Sequence, residues 1–310
     1  MAEWLQVRRS SAPLIVSMPH TGHEILPDIE ARLVSPWLAR KDADWHVERL
    51  YDFAAALGAT TIRTAMSRTV IDCNRDPSGG SLYPGQNTTE LCPTTTFDGE
   101  DLYKPGEPPD AEEIAARRAR FFDPYHAAIE YEIARLREKH PRVVLFDAHS
   151  IRSRIPRLFE GELPHLNIGT NGGATCDPSL SGAVEKVCAA SDFSFVLNGR
   201  FKGGWTTRHY GKPQDGIHAI QLELACRGYM DEPDDVSPDN WPALYDEPRA
   251  AKLRTVLETI LAACLRFATS QNPSPPRSGG EGYGEGVVDR VRNDSRERAL
   301  YRHLLLKLMF

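Results

Sequence analysis

Pro-Arg-Val-Val-Leu-Phe-Asp-Ala-His-Ser, residues 141–150, is the stretch whose reading decides the fold. Val143, Val144, Leu145 and Phe146 run without a charge and begin with two β-branched residues, which predicts a short buried strand. Asp147 and His149 follow at its end. Two residues apart on an extended backbone, they point the same way. An apolar strand that ends in a carboxylate and an imidazole can present both to a metal ion or a reacting group. The structural alternative is a capping aspartate beside a hydrogen-bonded core histidine.

Upstream, residues 13–18 form a second predicted strand, which runs into Pro19-His20-Thr21-Gly22-His23-Glu24. A polar turn at a strand end is where α/β proteins place their sites. His20 and His23 are spaced so that a turn can fold both onto one ion. Residues 40–57 carry an apolar stripe at helical spacing (Trp45, Val47, Leu50, Tyr51, Ala54, Leu57), which predicts one helix with Asp42 and Asp44 in its first turn. Those acids fit either the helix dipole or a metal. Residues 59–64 predict a strand. Beyond it, Arg68, Asp72, Asn74 and Arg75 bracket Val70-Ile71, and a planar guanidinium beside an amide suits a carboxylate. Residues 77–109 are rich in Gly, Pro, Ser and Thr and predict a lid-like loop. Residues 110–140 predict a long helix that Pro124 kinks or splits in two.

Downstream of the opening stretch, Arg152 and Arg154 make a basic loop. Residues 166–169 and 193–197 predict strands, and residues 178–190 a helix. Residues 198–211 predict a glycine-rich cationic loop in which Arg200, Lys202, Arg208 and His209 can attract an anion. The last predicted strand, residues 217–224, sets Gln221 and Glu223 on one face and His218, Ile220, Leu222 and Leu224 on the other. A Glu within an apolar strand is costly unless paired or used, so Glu223 is the candidate general base. Residues 248–268 form an amphipathic helix. Strands alternating with helices predict an α/β fold with a mixed, mainly parallel sheet. Residues 270–286 hold almost no apolar side chains. The expected organisation is one catalytic domain over residues 1–269 and a low-complexity tail over residues 270–310, without a catalytic role.

The chain has 310 residues, 41% hydrophobic and 26% charged, enough for a full core. A net charge of −6 carries no basic footprint for nucleic acid. No apolar run is long enough to span a bilayer, and residues 1–10 lack the apolar segment of a secretory signal. Six dispersed cysteines without a Cys-x-x-Cys pair predict reduced thiols in a cytoplasm. A metal here would therefore use histidine and carboxylate.

Six separated motifs occur in order: Pro-His-Thr-Gly at 19–22, Asp-Ala-Asp-Trp-His at 42–46, Val-Ile-Asp-Cys-Asn-Arg at 70–75, Asp-Ala-His-Ser at 147–150, Gly-Arg-Phe-Lys-Gly-Gly-Trp-Thr-Thr-Arg-His-Tyr-Gly at 199–211 and Gln-Leu-Glu-Leu at 221–224. From about residue 13 to 268 the chain resembles the N-formylglutamate amidohydrolase (N-formylglutamate deformylase) family. The resemblance implies a phosphorylase/hydrolase-like three-layer sandwich related to zinc carboxypeptidases. It also implies zinc-dependent hydrolysis of N-formyl-L-glutamate to formate and L-glutamate, a step of histidine degradation. By the same resemblance, His20 and His149 with an acidic partner hold one Zn2+ or another divalent metal, and Glu223 is the base. Asp44 is the preferred acid, with His23, Asp42 and Asp147 as secondary candidates. The wider zinc carboxypeptidase group often carries His-x-x-Glu, whereas the residue three after His20 is His23.

The implied chemistry closes on these residues. A metal-activated water would lose its proton to Glu223, and Arg208 or His209 would help stabilise the oxyanion. Asn74 and Arg75 would clamp one substrate carboxylate, and Arg68 or Arg152 the other. The other role open to Asp147 is to orient a ligand histidine. The expected partner is a small dianionic N-acyl amino acid, with no nucleic acid or membrane, and the oligomeric state stays open. The rivals are a deacylase of another N-acyl amino acid, a non-catalytic anion-binding protein, and a metal-independent amidase using Cys73 or Ser150.

Overall fold

The computed structural model describes residues 4–80, 85 and 88–270. Seven strands, β1 (Leu5–Arg8), β2 (Leu14–Met18), β3 (Thr60–Thr64), β4 (Val143–Ile151), β5 (Leu166–Gly169), β6 (Phe195–Leu197) and β7 (Ile217–Ala225), form one sheet in the order β1-β3-β2-β4-β7-β5-β6. The central pairs β3–β2, β2–β4 and β4–β7 are parallel, as is β5–β6. The pairs β1–β3 and β7–β5 are antiparallel. The sheet is therefore mixed and mainly parallel, as the alternating pattern predicts. The edge strand β1 had no sequence signal of its own. The helices are α1 (Pro27–Glu30), α2 (Leu38–Lys41), α3 (Val47–Leu50), α4 (Ala111–Arg117), α5 (Asp123–Arg137), α6 (Pro178–Ala189), α7 (Trp205–Tyr210) and α8 (Glu247–Thr269).

Side-chain alternation divides the core between the two sheet faces. Leu14, Val16, Val144, Phe146, Ile220 and Leu222 pack with Leu180 and Val184 of α6 and with Leu253, Leu257 and Ile260 of α8. Ile15, Ile62, Val143, Leu145 and Ala219 pack with Tyr125, Ile129, Ile133 and Leu136 of α5. This is a helix–sheet–helix arrangement. On the α5 side the cover stops at Tyr125. There the next residues on the same face turn polar: Ser17, Asp147 and Gln221 lie side by side across three parallel strands, followed by His149 beside Glu223. The polar rows begin where helix cover ends.

Four local expectations are corrected. Strand β4 does not end at Phe146. Its pairing with β7 runs from Val143↔Ile217 to Ile151↔Ala225, so the ladder carries Asp147 and His149 inside the sheet. Residues 40–57 are not one helix. The Asp44 amide donates to the His20 carbonyl at 2.9 Å, and His46 takes a left-handed φ of 64°. The apolar stripe is thus shared between α2, α3 and a 3-10 turn at Asp52–Ala55. The split expected at Pro124 is seen: α4 gives way through a π turn at Arg118–Phe122 to α5, and Pro124 lies in the first turn of α5, where its missing N–H costs nothing. The cationic loop contains α7. In the supposed lid, Leu91, Cys92, Phe97, Leu102 and Tyr103 are buried in the body of the protein. The expected tail lies outside the described residues except for Ser270.

Gly22 shows how tightly the turn after β2 is seated. A Cβ there would fall 2.3 Å from the Ala65 carbonyl carbon and 2.4 Å from the Met66 oxygen. Both neighbours are backbone and cannot yield cheaply. Gly22→Ala is expected to destabilise the fold by at least ~2 kcal/mol, read as a lowered urea midpoint.

Candidate active site

His20 leaves β2 at its C-terminal end, and His149 stands on the neighbouring β4. Asp44, on the break between α2 and α3, reaches between them. The three side chains are buried, and each offers a ligand atom within 4.8 Å of the others. Asp44 Oδ2 lies 3.1 Å from His149 Nδ1 and 3.7 Å from His20 Nδ1. The opposite ring nitrogens are already engaged. His20 Nε2 lies 2.6 Å from Asp72 Oδ1. His149 Nε2 lies 3.0 Å from Asp147 Oδ2 and 2.9 Å from the Asn74 amide nitrogen. Each imidazole thus has a carboxylate behind it and turns Nδ1 toward Asp44. Two imidazoles and a carboxylate, with carboxylates fixing the rings, fit a borderline divalent cation.

Electrostatics point the same way. Burial, with Arg68 nearby, lowers the His20 pKa and keeps that ring neutral, the form that binds metal. Burial works against a proton on His149 too, but Asp147 and Asp44 prevail and raise its pKa well above the usual value. Carboxylates that attract a proton so strongly will also attract a cation. Burial would raise Asp72, yet Arg75, His20 and Arg68 together hold its carboxyl well below the ordinary range.

Glu223 pairs in register with His149 and is interior, flanked by β4 and β5, so it does not face water from an edge strand. Burial pushes its pKa up to about 7, with Asp44 and Asp147 adding to the effect and His149 and Arg68 opposing it. Gln221 Nε2 donates to Glu223 Oε2 at 3.2 Å, while Gln221 Oε1 accepts the Gly204 amide at 2.6 Å. Glycine is required at 204, because a Cβ would sit 2.4 Å from the Asn74 amide nitrogen.

These groups floor a cleft of about 620 Å³, its open mouth included. Arg68, Arg75 and Arg200 line it with positive charge, and Phe97, Ile151, Leu158 and Phe201 give it an apolar side. Arg68 Nη2 donates to Asp72 Oδ2 at 2.6 Å, and Arg75 donates to the Thr89 carbonyl and hydroxyl.

Several sequence candidates are placed elsewhere. His23 is not part of the cluster and stacks on Trp45, 4.6 Å between ring centres. Asp42 accepts the Phe97 amide and pairs with Arg152, and neither lines the cleft. His209 is exposed and stacks on Trp205, and Arg208 donates to the Gly203 carbonyl. Neither lines the cleft; the fold of α7 carries them to its far end. Asn74 lines the cleft, but its amide is committed to Asp147, His149 and the Thr206 amide. Asp147 backs His149 and accepts from Ser17. The roles of Asp72, Ser17 and Gln221 were missed; strand alternation alone could have flagged Ser17. The nucleophile alternatives lose support. Cys73 is buried with its thiol pushed well up, and the Ser150 hydroxyl is bonded to the Tyr229 hydroxyl.

The fold is shared with a solved N-formylglutamate amidohydrolase from Ralstonia eutropha JMP134, with a TM-score of 0.68 at 23% identity over 85% of this chain and 96% of that one. The model of the N-formylglutamate amidohydrolase family matches residues 12–230. An N-formylglutamate deformylase of Pseudomonas aeruginosa is 48% identical over 263 residues, which cover 84% of this chain and 97% of the relative. That of Pseudomonas putida is 44% identical over 272 residues, 87% and 99%. The chain belongs to the N-formylglutamate amidohydrolase family. Among the described residues no helix is long and apolar enough to cross a membrane.

Asp72→Asn keeps the shape behind His20 but removes the charge. Its affinity for Zn2+, measured by competition with a chelator, is expected to fall by ~10- to 100-fold.

Proposed function

We propose that this chain hydrolyses N-formyl-L-glutamate to formate and L-glutamate, using one zinc or a similar divalent cation held by His20, Asp44 and His149. One observation carries the proposal. His20 and His149, which with Asp44 form a buried His–Asp–His group, share with Glu223 the lining of a cleft that also holds three arginines. The names of the relatives support the substrate.

A divalent cation in that group would lower the pKa of a bound water and polarise the formyl carbonyl. The residues of the chain supply the rest. Glu223, with a pKa near neutrality, takes a proton from the attacking water and delivers it to the departing amine nitrogen. The C–N bond breaks, and the products are formate and an ammonium. Gln221 holds the Glu223 carboxylate in place. Arg68 and Arg75 offer guanidinium groups to the substrate carboxylates, with Arg200 on the same wall. Burial beneath the cleft excludes bulk water and strengthens each of these interactions.

The setting we infer is the cytoplasm, in keeping with six free, buried thiols. The catalytic unit we infer is residues 1–269.

Formate release from N-formyl-L-glutamate, assayed with and without chelator, is expected to stop when metal is removed and return when zinc is restored. Glu223→Gln should lower kcat by ~10²-fold or more while leaving bound metal unchanged. Activity is expected to rise with pH, because the base works only when ionised. The midpoint should lie at or below about 7, since a cation nearby favours the carboxylate. A chain ended after Thr269 should keep its activity to within about twofold, because α8 already completes the core.

A further inference from the structure

A second cluster of charge, in which Lys41 and Arg152 are buried, lies beside the cleft and takes no part in the chemistry above. Residues 94–101 make a tight turn, bridged at Thr95↔Asp101 and closed by the Thr96 amide donating to the Glu100 carbonyl at 2.9 Å. The turn is clamped from two sides. Lys41 Nζ, buried, lies 2.6 Å from both Asp98 Oδ2 and Glu100 Oε2. Arg152 Nη2 lies 2.6 Å from Asp98 Oδ2 and 3.4 Å from Asp42 Oδ1. The other Asp42 oxygen accepts the Phe97 amide at 2.6 Å. Lys41 and Asp42 stand just before Asp44, and Arg152 just after His149. The clamp thus fastens the turn to the two segments that carry two of the candidate metal ligands.

What the clamp delivers to the cleft is one ring. Phe97 lines the cleft, with its centroid 4.6 Å from the guanidinium carbon of Arg68. On another side Arg68 is held by Asp72. A long side chain free to rotate loses conformational entropy on being ordered. Holding Arg68 between an aromatic ring and a carboxylate removes that cost before the substrate arrives.

We propose that Phe97 is a positioning residue for substrate binding: it holds Arg68 ready for a substrate carboxylate, and Lys41, Asp42, Asp98 and Arg152 hold Phe97. The proposal rests on the reading that this cleft takes a dicarboxylate. Phe97→Leu keeps the apolar wall but loses the aromatic face. Its KM for N-formyl-L-glutamate is expected to rise about tenfold, with kcat and metal content little changed. Phe97→Tyr, which retains a ring, should recover most of that loss. Asp42→Asn should weaken binding in the same direction.

Calorimetric affinity for glutarate, a dicarboxylate with no amide to cleave, reads the same effect without turnover. Weaker glutarate binding by the metal-loaded Phe97→Leu protein supports the proposal even if no formate is released from any substrate; in that case only the assigned reaction fails. Normal formate release by the native chain, with KM and glutarate affinity unchanged in Phe97→Leu, overturns the proposal and leaves the reaction intact. A parallel loss of kcat and metal in Phe97→Leu also overturns it, since the ring would then be supporting the metal site as a whole.

Discussion

Buried negative charge is the constraint around which this structure is arranged. Asp44, Asp72, Asp147 and Glu223 are all buried within one small region. An unpaired carboxylate in such a place costs several kcal/mol. Asp72 is answered by Arg68, Arg75 and His20, and Asp147 by Ser17, Asn74 and His149. Glu223 is answered partly by Gln221, and its pKa rises instead. Asp44 meets the two imidazoles and, among the described residues, no arginine or lysine at ion-pair distance. Among the described residues, the ion-pair partners of Asp44 are thus the two imidazoles that face it. The same deficit of positive charge explains why a chain of net charge −6 gathers arginines around this cleft.

Much of the site was legible because the sheet enforces a period of two. Asp147 with His149, and Gln221 with Glu223, were paired on one face from spacing alone, and the ladder between β4 and β7 keeps those pairings. His20 was legible because it follows an apolar strand directly. The less legible part depended on which way a turn sends its side chains. His23 and Asp42 had the right chemistry, but His23 stacks on Trp45, Asp42 is taken by the Phe97 amide, and the left-handed His46 breaks the expected helix, so only Asp44 enters the cluster. Arg208 and His209 belonged to a conspicuous motif, yet helix α7 carries them past the cleft. Its contribution is the Gly204 end. The role of Asp72 was hidden by its neighbours: beside Arg68 and Arg75 it looked like half of an ordinary ion pair.

The order of the strands explains why the site lies where it does. The parallel core β3-β2-β4-β7 points its C-terminal ends one way, and the ligand-bearing turn, His149 and Glu223 all sit toward that end. β5 and β6 run antiparallel to β7 and end level with Gln221 and Leu222, so the loop after β6 leaves beside those residues, and Arg200, Phe201 and Gly204 line the cleft.

The close approach of Gly204 to Asn74 has an evolutionary consequence. Asn74 needs its amide to hold Asp147, His149 and the start of α7, and Gly204 must lack a side chain to leave room for that amide. Any larger residue at 204 collides with Asn74, and a smaller residue at 74 gives up contacts with both aspartate and histidine. Neither position can drift alone. The pair should be inherited as a unit, and a homologue that changes one should carry a matching change in the other.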